Sequence, residues 1–432
     1  MKSNETVPKG RSAGLRARIR SIALFHQLGP GLVTSAADDD PSGIATYSQA
    51  GAQFGYGLLW TMVLTYPLMS AIQLISAEIG RVTGKGLAHN MGKVLPRFIV
   101  NLIVLVLFVA NTINIGADLA AMGDAIELAA GLNAHVMTVA FAAISLLLQL
   151  FIPYRRYSSF LKWLTLVLLA YVALLFVVKL DGAALLKGLV VPTISGKAAI
   201  TTVVAVFGTT ISPYLFFWQS AQEVEGITND VKAKPLLEAP WQGRRALRRM
   251  RLDTFAGMAI SNLVALAIII GTAATLHAAG QTSIETAADA AKALQPVAGH
   301  FAFLLFSLGI VGTGLLAVPV LAGSSAYAIG EARGWVCGLD EKPWEAVGFY
   351  SVITVGTLLG VVMDWSPVDP IKLLFWSAVI NGVAAVPIMA AMMFVVSRRR
   401  TMGKYVASPW LLVLGWTATA VMGAAALALF LF

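Results

Sequence analysis

Three consecutive aspartates, Asp38, Asp39 and Asp40, sit inside an apolar stretch and are followed at once by Pro41-Ser42-Gly43. Ionised carboxylates are hard oxygen ligands, and such ligands suit Mg2+, Ca2+ or Mn2+. Proline lacks an amide donor and clashes with the preceding turn, so the helix is interrupted there and backbone carbonyls beside it are freed. A carboxylate at bilayer depth is costly and is tolerated when it faces a cavity, a partner or an ion. The rival reading is structural: one or two of these aspartates cap the helix that restarts after the proline. A second motif, Gly208-Thr209-Thr210-Ile211-Ser212-Pro213-Tyr214, carries hydroxyls and carbonyls beside another proline. If the two breaks face each other, Thr209 and Ser212 lie across from the aspartates.

These motifs need elements that cross a membrane. The chain has 432 residues, of which 58% are hydrophobic and only 12% charged, with a mean hydropathy of +0.77. A soluble domain carries roughly twice that charged fraction, about 25%. Apolar runs long enough to span the hydrocarbon core recur from Gly29 onward. They predict eleven helices, at about 29–52, 57–82, 98–125, 134–153, 159–180, 198–222, 252–277, 301–331, 345–363, 370–397 and 409–432. With a cytoplasmic N-terminus, all of the 31 Lys and Arg fall at cytoplasmic ends except Lys179, Lys187, Lys197, Lys292 and Lys372. That is the positive-inside asymmetry. The net charge of +9 is therefore a topology signal and not a nucleic-acid footprint.

Residues 1–28 read as a basic cytoplasmic tail without a cleavable signal pattern, and 29–432 as one polytopic membrane domain. The two broken helices are the first and the sixth, in corresponding positions of two five-helix halves, 29–180 and 198–397. That is the pattern of inverted-repeat transporters with a binding site at the bilayer midplane, and the helix at 409–432 lies outside it. The polar stretch Glu223 to Asp253, with Arg244, Arg245, Arg248, Arg249 and Arg251, reads as a cytoplasmic loop with a short headgroup-level helix. Asn111 and Asp118 in the third helix and Asn381 in the tenth are intramembrane polar residues, for a water path or for interhelical hydrogen bonds. No nucleophile–base constellation or metalloenzyme spacing appears, so an enzyme is not expected. The single cysteine, Cys337, excludes an intramolecular disulfide.

Gly29-Pro30-Gly31, Asp40-Pro41-Ser42-Gly43 and Gln49-Ala50-Gly51-Ala52-Gln53-Phe54-Gly55-Tyr56 together resemble the start of the Nramp divalent-metal transporters. Val82-Thr83-Gly84-Lys85 and Arg251-Leu252-Asp253 are also similar to that family. The resemblance implies an all-α LeuT-type fold working by alternating access. It also implies that the first-helix Asp, here Asp40, is the principal ion ligand. The family's Asp-Pro-Gly-Asn motif has Gly43 in place of its Asn. Ser212 stands where the family has a Met, and Thr209 where it has an Ala whose carbonyl binds the ion. A thioether favours softer transition metals, so its loss leaves oxygen chemistry. The family's acidic positions along the third helix are Asn111 and Ala121 here, with only Asp118 kept. Its two sixth-helix histidines are Tyr214 and Gln219, and its basic residue in the ninth helix has no counterpart. These departures resemble the Nramp-related magnesium transporters, which carry a hydrated ion without proton coupling.

The expected site is thus Asp40, Asp39, Asp38, the Ala37 and Thr209 carbonyls and Ser212, with Pro41, Ser42, Gly43 and Pro213 forming the breaks. Asn111, Asp118, Tyr214, Gln219 and Asn381 are the expected polar pathway. The partners are the divalent ion, Mg2+ before Mn2+, as cargo and the bilayer of a bacterial inner membrane. No other cofactor is expected, and a monomer suffices. The competing readings are a proton-coupled Mn2+ or Fe2+ symporter and a sodium-coupled carrier of organic solutes on the same fold.

Overall fold

The computed structural model describes residues 35, 37–154, 156, 164–365 and 367–431, and among these every regular element is helical. We label the principal helices α1 (Pro41–Phe54), α2 (Trp60–Thr83), α3 (Arg97–Ala130), α4 (Ala134–Phe151) and α5 (Leu169–Leu174). The sixth is split into α6a (Gly196–Thr210) and α6b (Pro213–Thr228). After it come α7 (Gly243–Thr272), α8 (Ala302–Arg333), α9 (Val347–Val362), α10 (Pro370–Val396) and α11 (Pro409–Leu431). Nine helical segments among the described residues are long and apolar enough to cross a bilayer. The two further expected spans, 29–52 and 159–180, fall partly outside the described residues, as do the basic tail and the Gly29-Pro30-Gly31 motif.

Both expected breaks are present. Ala37 and Asp38 are helical, Asp39 and Asp40 are not, and α1 restarts with Pro41 at its first position. The sixth helix stops at Thr210 and restarts at Pro213, with Ile211 and Ser212 out of helical register. Proline at the first helical position loses only an amide that would be unpaired anyway. Pro67, Pro319 and Pro387, by contrast, lie inside continuous helices.

One boundary differs from expectation. The arginine cluster does not form a headgroup-level loop element but continues α7, which begins at Gly243, nine residues before the expected start at 252. Arginine is a good helix former and nothing between 244 and 253 breaks a helix. Arg249 reaches the buried Glu223 of α6b at 2.6 Å, while Arg244, Arg245, Arg248 and Arg251 stay exposed.

α3 is the hub of the bundle, packed on α8, α10, α4 and α9. α6a lies on α10, and α6b lies between α2 and α8. The α6a–α10 crossing is a backbone contact: a Cβ on Gly208 would collide with Ala378 and Gly382. Small residues allow such close approach between membrane helices. Large apolar side chains such as Phe98, Phe151, Val413 and Phe430 point outward, where lipid would cover them.

Candidate metal site

Asp40 is buried, with a relative exposure of 1%. Its Oδ1 accepts from the Gly43 amide at 2.8 Å and from Ser42 Oγ at 2.6 Å, so it caps α1. The structural role open from sequence is therefore real for this aspartate. Its Oδ2 does something else. It accepts from Asn114 Nδ2 of α3 at 3.0 Å, with Tyr214 Oη of α6b at 3.5 Å. Tyr214 Oη makes its better bond, 3.1 Å, to the Ala37 carbonyl. One hydroxyl proton serves one strong acceptor, so Tyr214 is fastened to the unwound backbone and only leans on the carboxylate.

The other two aspartates turn toward α7. Ser261 Oγ lies 2.7 Å from Asp38 Oδ2 and 3.0 Å from Asp39 Oδ1. Both carboxylates are buried, and Asp38 Oδ1 has no hydrogen-bond partner. A single hydroxyl proton cannot satisfy two carboxylates, so this pair is short of positive charge. Asp38 and Asp39, expected as direct or water-mediated ligands beside Asp40, therefore do not share its hydrogen-bond partners. Among the described residues no three Asp, Glu, His or Cys side chains are grouped to hold a metal ion. The reason is geometric. Successive residues at a helix end project in different directions, so Asp40 faces α3 and α6b while Asp38 and Asp39 face α7.

The breaks do face each other. A Cβ on Gly43 would stand 3.1 Å from Thr209 Oγ1 and 3.3 Å from the Tyr47 ring. Ser212, however, turns back on its own half-helix, with its hydroxyl 2.7 Å from the Thr209 carbonyl and 3.0 Å from that of Gly208. It does not cap α6b. Its single hydroxyl proton goes to these orphan carbonyls at the end of α6a, most closely to that of Thr209. Ser212 is therefore a terminator of α6a in this arrangement, and not an aspartate partner.

The expected polar pathway divides. Asn111 Nδ2 bonds Leu321 O, Ser324 Oγ and Ser325 Oγ of α8 at 2.9 to 3.0 Å, so it ties α3 to α8 and stands apart from Asp40. Asp118 is fully buried and neither carboxylate oxygen has a hydrogen-bond partner. Asn381 is buried in α10 with its Oδ1 unbonded, and Gln219 is buried in α6b. Three contributors were missed from sequence. Asn114 holds Asp40, Ser377 Oγ of α10 reaches Asn114 Oδ1 at 2.6 Å, and Ser261 holds the other aspartates. A signal for Asn114 existed: Asn111, Asn114 and Asp118 follow helical spacing and share one face of α3. A lone serine in an apolar helix carries no such signal.

The arrangement is a buried, oxygen-rich break that offers one capped carboxylate, the Ala37 carbonyl held by Tyr214 and a second carboxylate pair. Comparison with known proteins gives the same direction. The model of the Nramp family, natural resistance-associated macrophage protein-like, matches residues 31–432. A divalent metal cation transporter MntH of Klebsiella pneumoniae (strain 342) is 29% identical over 425 residues, covering 95% of this chain and 94% of the relative. A crystal structure of the Eremococcus coleocola manganese transporter, bound to an aromatic bis-isothiourea substituted compound, superposes with a TM-score of 0.74 at 17% identity. It covers 99% of this chain and 89% of that one. The nucleobase-cation-symport-1 family transporter Mhp1, in a closed conformation, gives 0.56 at 15% identity, covering 93% of this chain and 92% of that one.

Proposed function

The chain belongs to the Nramp family, and from that premise we propose that it carries hard divalent metal cations, Mg2+ first and Mn2+ second, across the bilayer. It does so by alternating access between two inverted repeats, 29–180 and 198–397, with its N-terminus in the cytoplasm of a bacterial cell. The relatives are divalent metal cation and manganese transporters by name. The observation that carries the reading is Asp40, a buried carboxylate whose Oδ2 lies between Asn114 of α3 and Tyr214 of α6b, the tyrosine also bonding the Ala37 carbonyl.

The cation binds Asp40 Oδ2 and the Ala37 carbonyl, with the Thr209 carbonyl closing the shell from α6a. Asp38 and Asp39 act through retained waters, which Mg2+ gives up reluctantly. The groups bonded to Asp40 are hydroxyls and amides, which favours hard ions. The family's sixth-helix histidines are Tyr214 and Gln219 here, so that part of a proton relay is missing and ion movement is read as uncoupled from protons. One observation favours a second reading, a proton-coupled Mn2+ carrier: Asp118 is a buried carboxyl with no hydrogen-bond partner, available to a relay.

Uptake into proteoliposomes, with a pH dye in the lumen, tests both. Uptake of Mg2+ and Mn2+ without a change of lumenal pH is the expected result. Mn2+-only uptake with lumenal acidification would transfer the assignment to the coupled carrier, and no uptake of either metal would overturn metal transport itself.

A further inference from the structure

We propose that Asn114 is itself a ligand of the transported cation, presented by a hydrogen-bond chain to α10 that is satisfied in two opposite polarities. This rests on the metal site at Asp40 proposed above. Asn114 is fully buried in the middle of α3. Its Nδ2 donates to Asp40 Oδ2 at 3.0 Å, and its Oδ1 accepts from Ser377 Oγ at 2.6 Å. Ser377 Oγ also lies 2.8 Å from the Leu374 carbonyl, one turn back along α10. The serine has one proton and two acceptors within reach, so its hydroxyl has two settings.

In the first setting Ser377 donates to Asn114, and Asn114 donates to Asp40. In the second, the amide is turned half a revolution about its terminal torsion. That torsion is broad and roughly two-fold in asparagine, so the turn needs no backbone movement. Oδ1 then stands where Nδ2 was, Nδ2 donates to Ser377 Oγ, and the serine proton goes to Leu374 O. Ser377 Oγ and Asn114 Nδ2 keep a partner in both settings, while Asn114 Oδ1 and Asp40 Oδ2 exchange their hydrogen bonds for the cation in the second.

The second setting puts an amide oxygen beside a carboxylate oxygen. Two oxygens that close repel each other unless a cation lies between them. Adjacent ligands in an octahedron with Mg2+–O bonds of about 2.1 Å are separated by about 3.0 Å. That is the separation of the Asn114 and Asp40 atoms. Ca2+, with bonds of about 2.4 Å, needs ligands roughly 3.4 Å apart. A spacing of 3.0 Å serves both an N–H···O hydrogen bond and two oxygens sharing a small hard ion, so the same two positions suit both settings. As the ion leaves, the amide returns its hydrogens to Asp40, so the carboxylate is not left bare inside the membrane. Asn114 is a ligand, and Ser377 is a positioning residue that acts through it.

The test is Mg2+ binding by calorimetry to the purified full-length protein, with thermal melting in metal-free buffer as the folding control. Asn114→Ala is expected to weaken Mg2+ binding by roughly 10- to 100-fold, and Ser377→Ala by less, about 3- to 10-fold. Asn114→Asp separates a ligand from a mere hydrogen-bond donor. It keeps the oxygen and adds charge, so a ligand role predicts Mg2+ binding retained or tightened. A donor role predicts loss, because a carboxylate cannot donate to Asp40 and repels it. Mg2+ binding within twofold of the unmodified protein in Asn114→Ala, or its loss in a folded Asn114→Asp, overturns the inference; Asn114→Ala decides alone if Asn114→Asp does not fold. Asp40→Ala run alongside separates the two claims. Lost binding there with Asn114→Ala unaffected removes only Asn114 from the shell, whereas binding unaffected in both removes the metal site and with it this inference.

Discussion

The break before α1 and the break inside α6 have the same origin, a proline at the first position of a restarting helix, and they touch at Gly43 and Thr209. They differ in where their polar groups find partners. The first also reaches outside: Asp40 Oδ1 caps its own helix, but its Oδ2 is met from α3 and α6b, and Asp38 and Asp39 share one serine of α7. The second is satisfied from within, because Ser212 returns to the carbonyls of Gly208 and Thr209. A break closed on its own helix is a fixed shape. One held by side chains of three other helices can exchange a partner for an ion and feels any movement of those helices. On the proposed function, the first break carries most of the ion's ligands, and the second adds only the Thr209 carbonyl.

The sharpest way to break this contrast is Asp40 itself. Asp40→Ala is expected to abolish metal uptake into proteoliposomes, and it also removes a helix cap worth about 1 kcal/mol. Asp40→Asn isolates the charge, since Asn caps a helix as well as Asp does. It should melt near the wild-type temperature yet fail to transport. Wild-type uptake by that variant would reduce Asp40 to a cap.

On the second break the large effect should be steric. Gly208→Ala drives a methyl into the α10 backbone at Ala378 and Gly382 and is expected to cost about 1–3 kcal/mol, read as a lowered melting temperature. An unchanged melt would mean that α6a and α10 are not in backbone contact. A smaller effect follows at α7. Ser261→Ala removes a hydrogen bond to charged groups worth about 1.5 kcal/mol. The apparent KM for Mg2+ should rise roughly tenfold, the equivalent of about 1.4 kcal/mol. No change would place Asp38 and Asp39 outside the ion's surroundings. Smallest of all is Ser212→Ala, which removes one neutral hydrogen bond and is expected to cost about 0.5–1 kcal/mol in stability with uptake little altered. A loss as large as that of Asp40→Asn would make the Ser212 hydroxyl a ligand and erase the contrast.

The membrane class, nine of the eleven expected spans and both breaks were legible because each is local. Hydropathy over about twenty residues reports burial in lipid, and an X-Pro step reports a helix restart wherever it falls. The start of α7 was placed too late because the arginine run was read by its charge. Arginine is compatible with both a loop and a helix, and the contact with Glu223 is made only on folding. The resemblance in the first two helices, borne out by a family match over residues 31–432, extended the local reading to the fold.

The site was legible in part. The sequence by itself determined that carboxylates, carbonyls and hydroxyls would meet at two interruptions, because the residue types and the prolines are written side by side in the chain. It did not determine which way each group points. Asp38, Asp39 and Asp40 are chemically identical neighbours, yet one caps a helix and faces α3 while two share a serine of α7. Asn114, Ser261 and Ser377 lie 74 to 337 positions along the chain from Asp40 and reach its break only through helix packing. That choice belongs to the tertiary structure, because a hydrogen bond is directional over about 3 Å, and only the rotation of each packed helix decides which side chain stands within that distance.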